Sequence, residues 1–278
     1  MTEHVAGKVI IITGAASGFG RLLSSKAAAR GARLALGDID GSALAATVAE
    51  LEAGGSEVVS AVTDVRRLPD LQGLVARALT RFGAVDVMVN NAGTMPLAFF
   101  ADHARAMEAW ERCIDVNFKG VLHGIAAVHD QMIAQGRGHV INLSSIYSNF
   151  PVAGAGVYVG TKMAVNALSE SLRVESQGRI KVTNVRPTGV PSTNLAAGIV
   201  NMEAVTGIYG QNAALMFQKM PAMQAGELPA EEADPEHIEY FALAPEYIAD
   251  AILHAIDQPW GVSISDITVR ASGDLYIL

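Results

Sequence analysis

Charged residues are scarce in this chain of 278 residues. Asp, Glu, Lys and Arg make up 17% of it and hydrophobic residues 50%, a composition typical of a protein with a large buried core and not of a disordered chain. Basic residues are also outnumbered, 20 against 28 acidic ones. Because phosphate binding requires a basic face, no nucleic-acid partner is expected.

Long hydrophobic runs and cysteines are scarce as well. No stretch approaches the ~18 apolar residues of a membrane span, and no basic amphipathic helix suited to a lipid surface is present, so no membrane partner is expected. The apolar run at residues 9–12 is too short for the core of a signal peptide. Cys113 is the only cysteine, which excludes an internal disulfide and favours a reducing, cytoplasmic location.

Short apolar runs alternate with periodic segments of helical length. The runs predict strands at 8–13, 33–36, 57–62, 85–89, 139–143, 181–185 and 264–269, and the periodic segments predict helices at 20–30, 42–53, 69–82, 110–135 and 157–176. The order indicates an α/β fold, a Rossmann-type doubly wound parallel sheet of about seven strands with helices on both faces. We expect one domain over 1–278, with residues 195–244 inserted as a substrate-binding lid.

A glycine-rich turn follows the first predicted strand. The sequence TGAASGFG (residues 13–20) places Gly14, Gly18 and Gly20 before the first helix. Such glycines allow a tight turn and close approach of a pyrophosphate to the N–H groups of the helix N-terminus. The GxxxGxG spacing differs from GxGxxG, and alone it also fits an ordinary strand–turn–helix connection.

An acidic residue, Asp38, ends the second predicted strand. An acid at this distance from a glycine turn can bind the ribose 2′-hydroxyl of a dinucleotide, although alone it also fits a solvated turn or a helix cap. Neither Ala16 in the turn nor Ile39 offers a cation to a 2′-phosphate. The pattern therefore favours NAD over NADP.

Tyr158 and Lys162 lie four residues apart in a predicted helix and therefore share one face of it. Such a pair is either an ordinary surface contact or an acid with the cation that tunes it. Tyrosine has a pKa of about 10, and lowering it by ~3 units takes about 4 kcal/mol. A cation at ~4 Å supplies roughly that much at an effective dielectric near 20, so Lys162 is predicted to lower the Tyr158 pKa.

Five stretches in register resemble the short-chain dehydrogenase/reductase family: TGAASGFG, Asp64-Val65, NNAG at 90–93, INLSS at 141–145 and YVGTK at 158–162. The resemblance spans roughly residues 5–190 and returns in the last strand. It implies an NAD(P)-dependent oxidoreductase acting on a small molecule, commonly as a homo-oligomer (tetramer or dimer).

The resemblance also implies roles for individual residues. Tyr158 would be the general acid/base, Lys162 its partner, Ser145 the catalytic serine and Asn117 the asparagine that holds a water in a proton relay. The cofactor would contact Gly14, Ser17, Gly18, Phe19, Gly20, Asp38, Ile39, Asp64, Val65, Asn91, Ala92, Gly93, Tyr158, Lys162 and Val190. The sequence RPTGVPST departs from the family, with Thr188 in place of a glycine, and leaves open whether Ser192 or Thr193 binds the nicotinamide carboxamide.

The substrate pocket is predicted to be apolar. The substrate residues expected there are Ser145, Tyr147, Phe150, Tyr158, Met95 and Leu195, with further apolar side chains at Leu97, Val152, Ile199, Met202, Met216 and Met220. Methionines suit an adaptable apolar wall, and they equally fit a lid packed on its own core. A neutral hydrophobic secondary alcohol or ketone is therefore expected.

The seven histidines show no metal-ligand spacing, so no metal is predicted. Two other functions use the same cofactor site: an NAD-sensing regulatory protein, and an isomerase or dehydratase that retains its cofactor. A sensor would not need the set Asn117, Ser145, Tyr158 and Lys162, which favours the oxidoreductase.

Overall fold

Seven parallel strands form one sheet in the order β3-β2-β1-β4-β5-β6-β7. They are β1 (Val9–Thr13), β2 (Arg33–Asp38), β3 (Val58–Val62), β4 (Val87–Asn90), β5 (Gly138–Leu143), β6 (Ile180–Pro187) and β7 (Asp266–Val269). The computed structural model describes residues 3–191 and 193–277. The predicted strands are all found, with β2 and β6 extending further than their apolar runs.

Helices cover both faces of the sheet. Those described are α1 (Gly18–Ala29), α2 (Gly41–Ala53), α3 (Leu68–Phe82), α4 (His103–Cys113), α5 (Gly120–Gln135), α6 (Gly156–Glu175), α7 (Val205–Tyr209), α8 (Ala213–Ala225), α9 (Ala230–Ala233) and α10 (Pro245–Ile256). Side chains of α1, α2 and α10 pack on one face, and those of α3, α5 and α6 pack on the other. The prediction of a doubly wound α/β fold is confirmed.

The central strands are apolar on both sides because both faces are covered. In β1, Ile10 and Ile12 belong to the core under α1 and α10, whereas Val9 and Ile11 belong to the core under α3 and α5. Every residue of β1 is buried. This explains why the strand lacks the polar alternation of a half-exposed sheet.

The strand order reverses between β1 and β4, which pair with each other although β2 and β3 lie on the other side of β1. At such a switch point the loops after the two strands diverge and leave a crevice at the carboxyl ends. Asn91, which follows β4, donates from Nδ2 to the carbonyl oxygens of Thr13 at 2.9 Å and Gly14 at 3.1 Å. It therefore ties the glycine turn to β4.

Two parts of the helix prediction differ from the structure. The segment predicted as one helix at 110–135 is α4, a π-helical turn at Ile114–Lys119 and α5 in succession. The beginning of α4 was not predicted from the sequence. Its first residues, His103–Ala109, include few buried positions, Ala106 among them, so the helical pattern of apolar residues is weak there. Among the described residues, 195–244 contains helices and turns and no strand. None of the described helices is long and apolar enough to cross a membrane.

One buried histidine, His139 at the start of β5, makes stability depend on pH. Its Nε2 lies 2.8 Å from Thr183 Oγ1, and the side chain is 1% exposed. Burial, with Lys181 and Lys8 nearby, holds its pKa well below the ordinary value. Below about pH 6.5 His139 is therefore protonated in the unfolded chain but stays neutral in the folded chain. Acidification thus lowers the free energy of unfolding.

We expect His139→Gln to flatten this acid dependence. Between about pH 7.5 and about pH 5 the wild type should lose up to ~2 kcal/mol more of its free energy of unfolding than the variant. Urea unfolding at the two pH values measures the difference. His129→Gln is the matched control, since His129 lies on the surface beside Asp130. Equal losses in wild type and His139→Gln would contradict the expectation.

Candidate active site

A cavity of about 770 Å³ runs along the carboxyl ends of the strands. It brings together predicted residues from the whole length of the chain. Those that line it are Gly14, Ser17, Gly18, Phe19, Asp38, Ile39, Asp64, Val65, Asn91, Ala92, Gly93, Met95, Ser145, Tyr147, Tyr158, Lys162, Val190 and Leu195. Predicted nucleotide residues and predicted substrate residues therefore share one continuous space.

The glycine turn has the backbone that a dinucleotide requires. Gly14 and Gly18 have φ values of 65° and 50°, which disfavour a side chain. A Cβ on Gly20 would lie 2.0 Å from the Gly14 carbonyl oxygen, so the third glycine allows α1 to pack on the turn. Ser17 precedes α1 without capping it through its side chain, leaving N–H groups of the first turn for an anionic ligand.

Asp38 stands beside this turn. Its carboxylate accepts hydrogen bonds from Ala16 N at 2.9 Å and Asp40 N at 3.0 Å. These contacts fix the carboxylate at the cavity wall, next to Ile39. The arrangement fits a ribose diol, because a carboxylate accepts from hydroxyl groups.

Asp64 and Val65 line the same end of the cavity together with Arg66, which sequence reasoning missed. The Arg66 guanidinium binds the Asp64 carboxylate through Nε and Nη2, the shortest contact being 2.6 Å. Hydrogen bonds from Arg66 hold the pKa of Asp64 below its usual value. The only signal in the sequence was the short DVRR stretch after the third strand.

Tyr158 and Ser145 lie together at the inner end of the cavity. The Tyr158 side chain, on the first turn of α6, is 4% exposed. Burial raises its pKa to about 12, and hydrogen bonding with the Ser145 side chain opposes that rise. The neighbouring Ser144 turns away and donates to Asn166 Oδ1 at 2.8 Å. Of the two serines, Ser145 is thus the one beside the tyrosine.

Lys162 lies one turn along α6 from Tyr158, but it does not lower the tyrosine pKa as predicted. Its Nζ is 5.8 Å from the centre of the Tyr158 ring and donates to the Leu143 carbonyl oxygen at 2.6 Å. Burial lowers the pKa of Lys162 to about 8. The prediction assumed a cation about 4 Å from the phenol at an effective dielectric near 20, whereas burial acts on both groups and raises the phenol pKa.

Asn117 lies behind the cavity wall, within the π-helical turn. Its Oδ1 accepts from Thr94 N at 2.9 Å, and its Nδ2 donates to the Thr94 carbonyl oxygen at 2.9 Å. The side chain therefore fixes the loop after β4. A π-turn interrupts the α-helical ladder and often marks a functional site.

Two other predicted positions differ in placement, and only one of the two alternatives for the carboxamide contact lies among the described residues. Phe150 does not line the cavity and is 61% exposed, because the chain leaves the cavity after the short turn Ile146–Ser148. Gly20 does not line the cavity, because it packs against the backbone of the glycine turn at Gly14. Thr193 lines the cavity and donates to the Val190 carbonyl oxygen at 3.1 Å, whereas Ser192 lies outside the described residues.

Apolar side chains from the 195–244 segment form much of the remaining wall. Those from α7, α8 and the preceding turns are Leu195, Ile199, Met202, Val205, Ile208, Met216, Met220 and Met223. Tyr209 and Tyr276 also line the cavity. Sequence reasoning missed them because neither belongs to a spaced motif, and Tyr276 lies near the C-terminus.

Within residues 3–191 and 193–277, no group of three His, Cys, Asp or Glu side chains is placed to hold a metal ion. Lys162, Arg66 and Arg112 are the cationic side chains that line the described cavity. Arg112 Nη1 is 4.0 Å from Glu108 Oε1. The charged side chains that line the described cavity are thus Asp38, Asp64, Arg66, Arg112 and Lys162.

Sequence comparison assigns the family. Residues 8–204 match the short chain dehydrogenase family. An uncharacterized oxidoreductase of Listeria monocytogenes is 34% identical over 95% of this chain and 96% of its own length. Glycine betaine reductase of Emericella nidulans is 33% identical over 96% of this chain. That protein is much longer, and the match covers only 19% of its length.

Solved structures show the same fold. A short-chain dehydrogenase/reductase of Burkholderia phymatum in complex with NAD is 29% identical, with a TM-score of 0.74 over 96% of this chain and 90% of that one. An alcohol dehydrogenase of Thermococcus sibiricus with 5-hydroxy-NADP is 25% identical, with a TM-score of 0.76 over 96% and 97%. The chain belongs to the short-chain dehydrogenase family and is an oxidoreductase of that family.

Proposed function

We propose that the protein transfers a hydride between NAD(H) and a neutral hydrophobic secondary alcohol or ketone, with Tyr158 as general acid/base. The observation that carries this proposal is the buried Tyr158–Ser145 pair at the point where the nucleotide end of the cavity meets its apolar end. A proton donor and a hydrogen-bonding hydroxyl at that point suit a carbonyl oxygen that gains charge during reduction.

The residues of this chain divide the work of reduction. When bound, the reduced cofactor supplies a hydride to the carbonyl carbon. Tyr158 donates its proton to the carbonyl oxygen, and Ser145 hydrogen-bonds and orients that oxygen. Lys162 is held by Leu143 close to Gly93, where its ammonium can bind ribose hydroxyls and restore the phenol proton.

Reduction is the direction that the protein's own groups favour near neutral pH. A phenol whose pKa is about 12 keeps its proton there and serves as an acid without further tuning. Alcohol oxidation needs the phenolate, so it requires an additional positive charge beside Tyr158. Oxidised nicotinamide would carry such a charge, and the Lys162 ammonium on the same face of α6 is a second one.

The apolar half of the cavity supports a neutral substrate. Methionines from α8 line it together with Met95 and Leu97 and pack in one cluster with Tyr147 and Tyr158. Such flexible side chains adapt to the shape of an apolar ligand. The 195–244 segment is proposed to act as the lid over that ligand.

NAD is the proposed cofactor because carboxylates dominate the ribose end of the cavity. Asp38 faces it without a cationic partner in any described contact, and the Arg66 guanidinium is already bound to Asp64. We expect NAD to bind at least about tenfold more tightly than NADP, or ~1.4 kcal/mol. Fluorescence titration with NADH and NADPH measures the ratio.

Asp38→Ala should reduce the preference for NADH over NADPH. Asp38→Asn removes the charge of the side chain but keeps its shape, so it distinguishes the effect of the charge from that of the geometry. The asparagine oxygen can still accept from Ala16 N while repulsion of a 2′-phosphate is lost. If both variants lose the preference, the carboxylate charge is responsible. NADPH binding to the wild type as tightly as NADH would contradict the proposal.

We also propose a cytoplasmic homo-oligomer. Large apolar side chains remain exposed on α4, on the π-helical turn and on α5, namely Met107, Ile114 and Leu122. Such a surface suits contact with a second copy. Light scattering of the purified protein gives its mass, and a monomer at all concentrations would contradict the assembly.

A substrate panel tests the proposed reaction. Neutral cyclic, aromatic and terpenoid ketones should be reduced with NADH, whereas sugars, phosphorylated compounds and acyl thioesters should be poor substrates. A clear preference for any of those three classes would refute the substrate assignment. Binding of NADH without turnover of any ketone would instead favour the sensor alternative.

A further inference from the structure

Two tyrosines form a polar patch in the apolar half of the cavity. Tyr209 ends α7, and Tyr276 comes from the C-terminal segment that folds back over the sheet. Their hydroxyl oxygens are 2.9 Å apart, and their ring centres are 4.9 Å apart. The motifs that define the family do not include either residue. We call them the tyrosine pair.

The tyrosine pair lies at the inner end of the cavity, near the reacting groups. A Cβ on Gly189 would lie 1.3 Å from the Tyr276 hydroxyl oxygen, so that hydroxyl rests directly on the backbone next to Val190. Tyr147, which lines the cavity close to Tyr158, has its ring centre 6.0 Å from that of Tyr276. Tyr147 thus neighbours both Tyr158 and the pair within the same cavity.

A count of protons shows that the tyrosine pair has hydrogen-bonding capacity to spare. Each phenol has one proton, and the bond between the two hydroxyls uses one of them. No acceptor for the second proton is found among the residues that the structure describes. By contrast, Tyr147 donates its proton to the Ile208 carbonyl oxygen at 2.9 Å. Tyr276 is only partly buried and both tyrosines line the cavity, so the spare proton can be donated to an acceptor on a ligand bound there.

The surroundings select a neutral acceptor. Burial raises the pKa of Tyr209 and holds that of Tyr276 well above its ordinary value, so both phenols stay protonated. Asp274 lies behind the pair and accepts from Tyr276 N at 3.3 Å. Its carboxylate adds to the rise of both pKa values and is ion-paired with Arg270, so neither charge is left to attract a charged ligand.

The segment that carries Tyr276 is held in place by contacts with the 195–244 segment. Asn212 Nδ2 donates to the Leu275 carbonyl oxygen at 3.0 Å. A Cβ on Gly210 would lie 2.9 Å from Ile277 Cδ1, so the following residue packs closely on the turn after α7. The residues before and after Tyr276, Leu275 and Ile277, are thus both held by the 195–244 segment, and this fixes the position of the Tyr276 hydroxyl.

We propose that the tyrosine pair determines specificity by hydrogen-bonding a second neutral oxygen of the substrate, a carbonyl or hydroxyl group remote from the reacting carbon. The inference rests on the proposed reaction at Tyr158 and defines its substrate more narrowly. The substrate class is a hydrophobic ketone or secondary alcohol that carries one further neutral oxygen. The pair binds that oxygen and takes no part in hydride or proton transfer.

Matched ketones with and without the second oxygen test this proposal. The pairs are cyclohexane-1,4-dione against cyclohexanone, and decalin-1,5-dione against 1-decalone, which place the second oxygen at two distances. The wild type is expected to show a kcat/KM about tenfold higher for the diketone in at least one pair, after correction for its two equivalent carbonyls. The gain should appear in KM, because the bond forms on binding.

Variants assign the preference to the two hydroxyls. Tyr209→Phe and Tyr276→Phe each leave one phenol with a free proton, so neither single variant should abolish the preference. The double variant should abolish it, so that the kcat/KM values for the diketone and the matched monoketone become equal within about twofold. Tyr247→Phe, a partly exposed tyrosine beside Tyr240 that does not line the cavity, is the control. Unchanged NADH affinity and melting temperature establish that the variants fold.

The possible outcomes separate the inference from the proposed function. If the wild type reduces the monoketones without preferring either diketone, or if the double variant keeps the preference, the role of the tyrosine pair is overturned while the reaction stands. If no ketone in the series or in the substrate panel is reduced with NADH or NADPH, the proposed reaction itself is contradicted, and the inference falls with it.

Discussion

Tyr158→Phe is expected to lower kcat for ketone reduction by about 10²–10⁴-fold, the usual contribution of a positioned general acid. The change removes the phenolic proton and leaves the ring, so NADH affinity should change little. The side chain is buried beside Ser145, and water is therefore poorly placed to replace the lost donor. Stopped-flow or steady-state measurement of NADH oxidation gives the rate.

Tyr247→Phe is the matched control, because it makes the same chemical change on a tyrosine outside the cavity. It should keep the activity of the wild type. Retention of more than about 3% of the activity by Tyr158→Phe would fall outside the loss expected for a general acid and would overturn the assignment. Loss of NADH binding in that variant would indicate structural damage and not the loss of a proton donor.

Lys162→Met is expected to lower kcat/KM by about 100-fold and to weaken NADH binding by about tenfold, the range of a hydrogen bond to a charged group. The ammonium is buried and positioned by the Leu143 carbonyl oxygen, close to Gly93. Methionine fills a similar volume but donates no proton. Both the contact with the cofactor ribose and the return of a proton to Tyr158 would be lost.

Lys119→Met controls for the loss of a positive charge, because Lys119 is a surface residue paired with Asp115 at 2.8 Å. It should leave kcat/KM and NADH affinity unchanged. If Lys162→Met lowers kcat but keeps wild-type NADH affinity, the lysine acts on the proton and not on the ribose. Full activity in Lys162→Met would contradict both roles.

The fold and the polar part of the site follow closely from local sequence. Strands β1, β2, β4, β5 and β6 are short, mostly buried runs. Most of the predicted nucleotide-binding residues stand at a strand end or in the turn after it, where parallel strands bring their carboxyl ends together. Gly14, Asp38 and Asn91 are far apart in the chain yet line one cavity for this reason. The spacing within α6 likewise places Tyr158 and Lys162 on one face.

Properties set by three-dimensional packing could not be predicted in this way. Burial determines that the Tyr158 pKa rises and that Lys162 bonds to Leu143, and burial is not visible in a spacing. Tyr276 reaches the cavity only because the C-terminal segment folds back onto the turn after α7. Phe150 was expected in the pocket from its proximity to Ser145 in sequence, but the intervening turn carries it to the surface.

The most direct test of hydride transfer with Tyr158 as the acid is the stoichiometry of NADH consumed to alcohol formed. It is measured with a neutral cyclic ketone and compared between wild type and Tyr158→Phe. The account predicts one NADH consumed per alcohol formed by the wild type, and almost none by the variant despite normal NADH binding. Product formed without net loss of NADH would indicate an isomerase or dehydratase and contradict the account, as would equal NADH consumption by the two proteins.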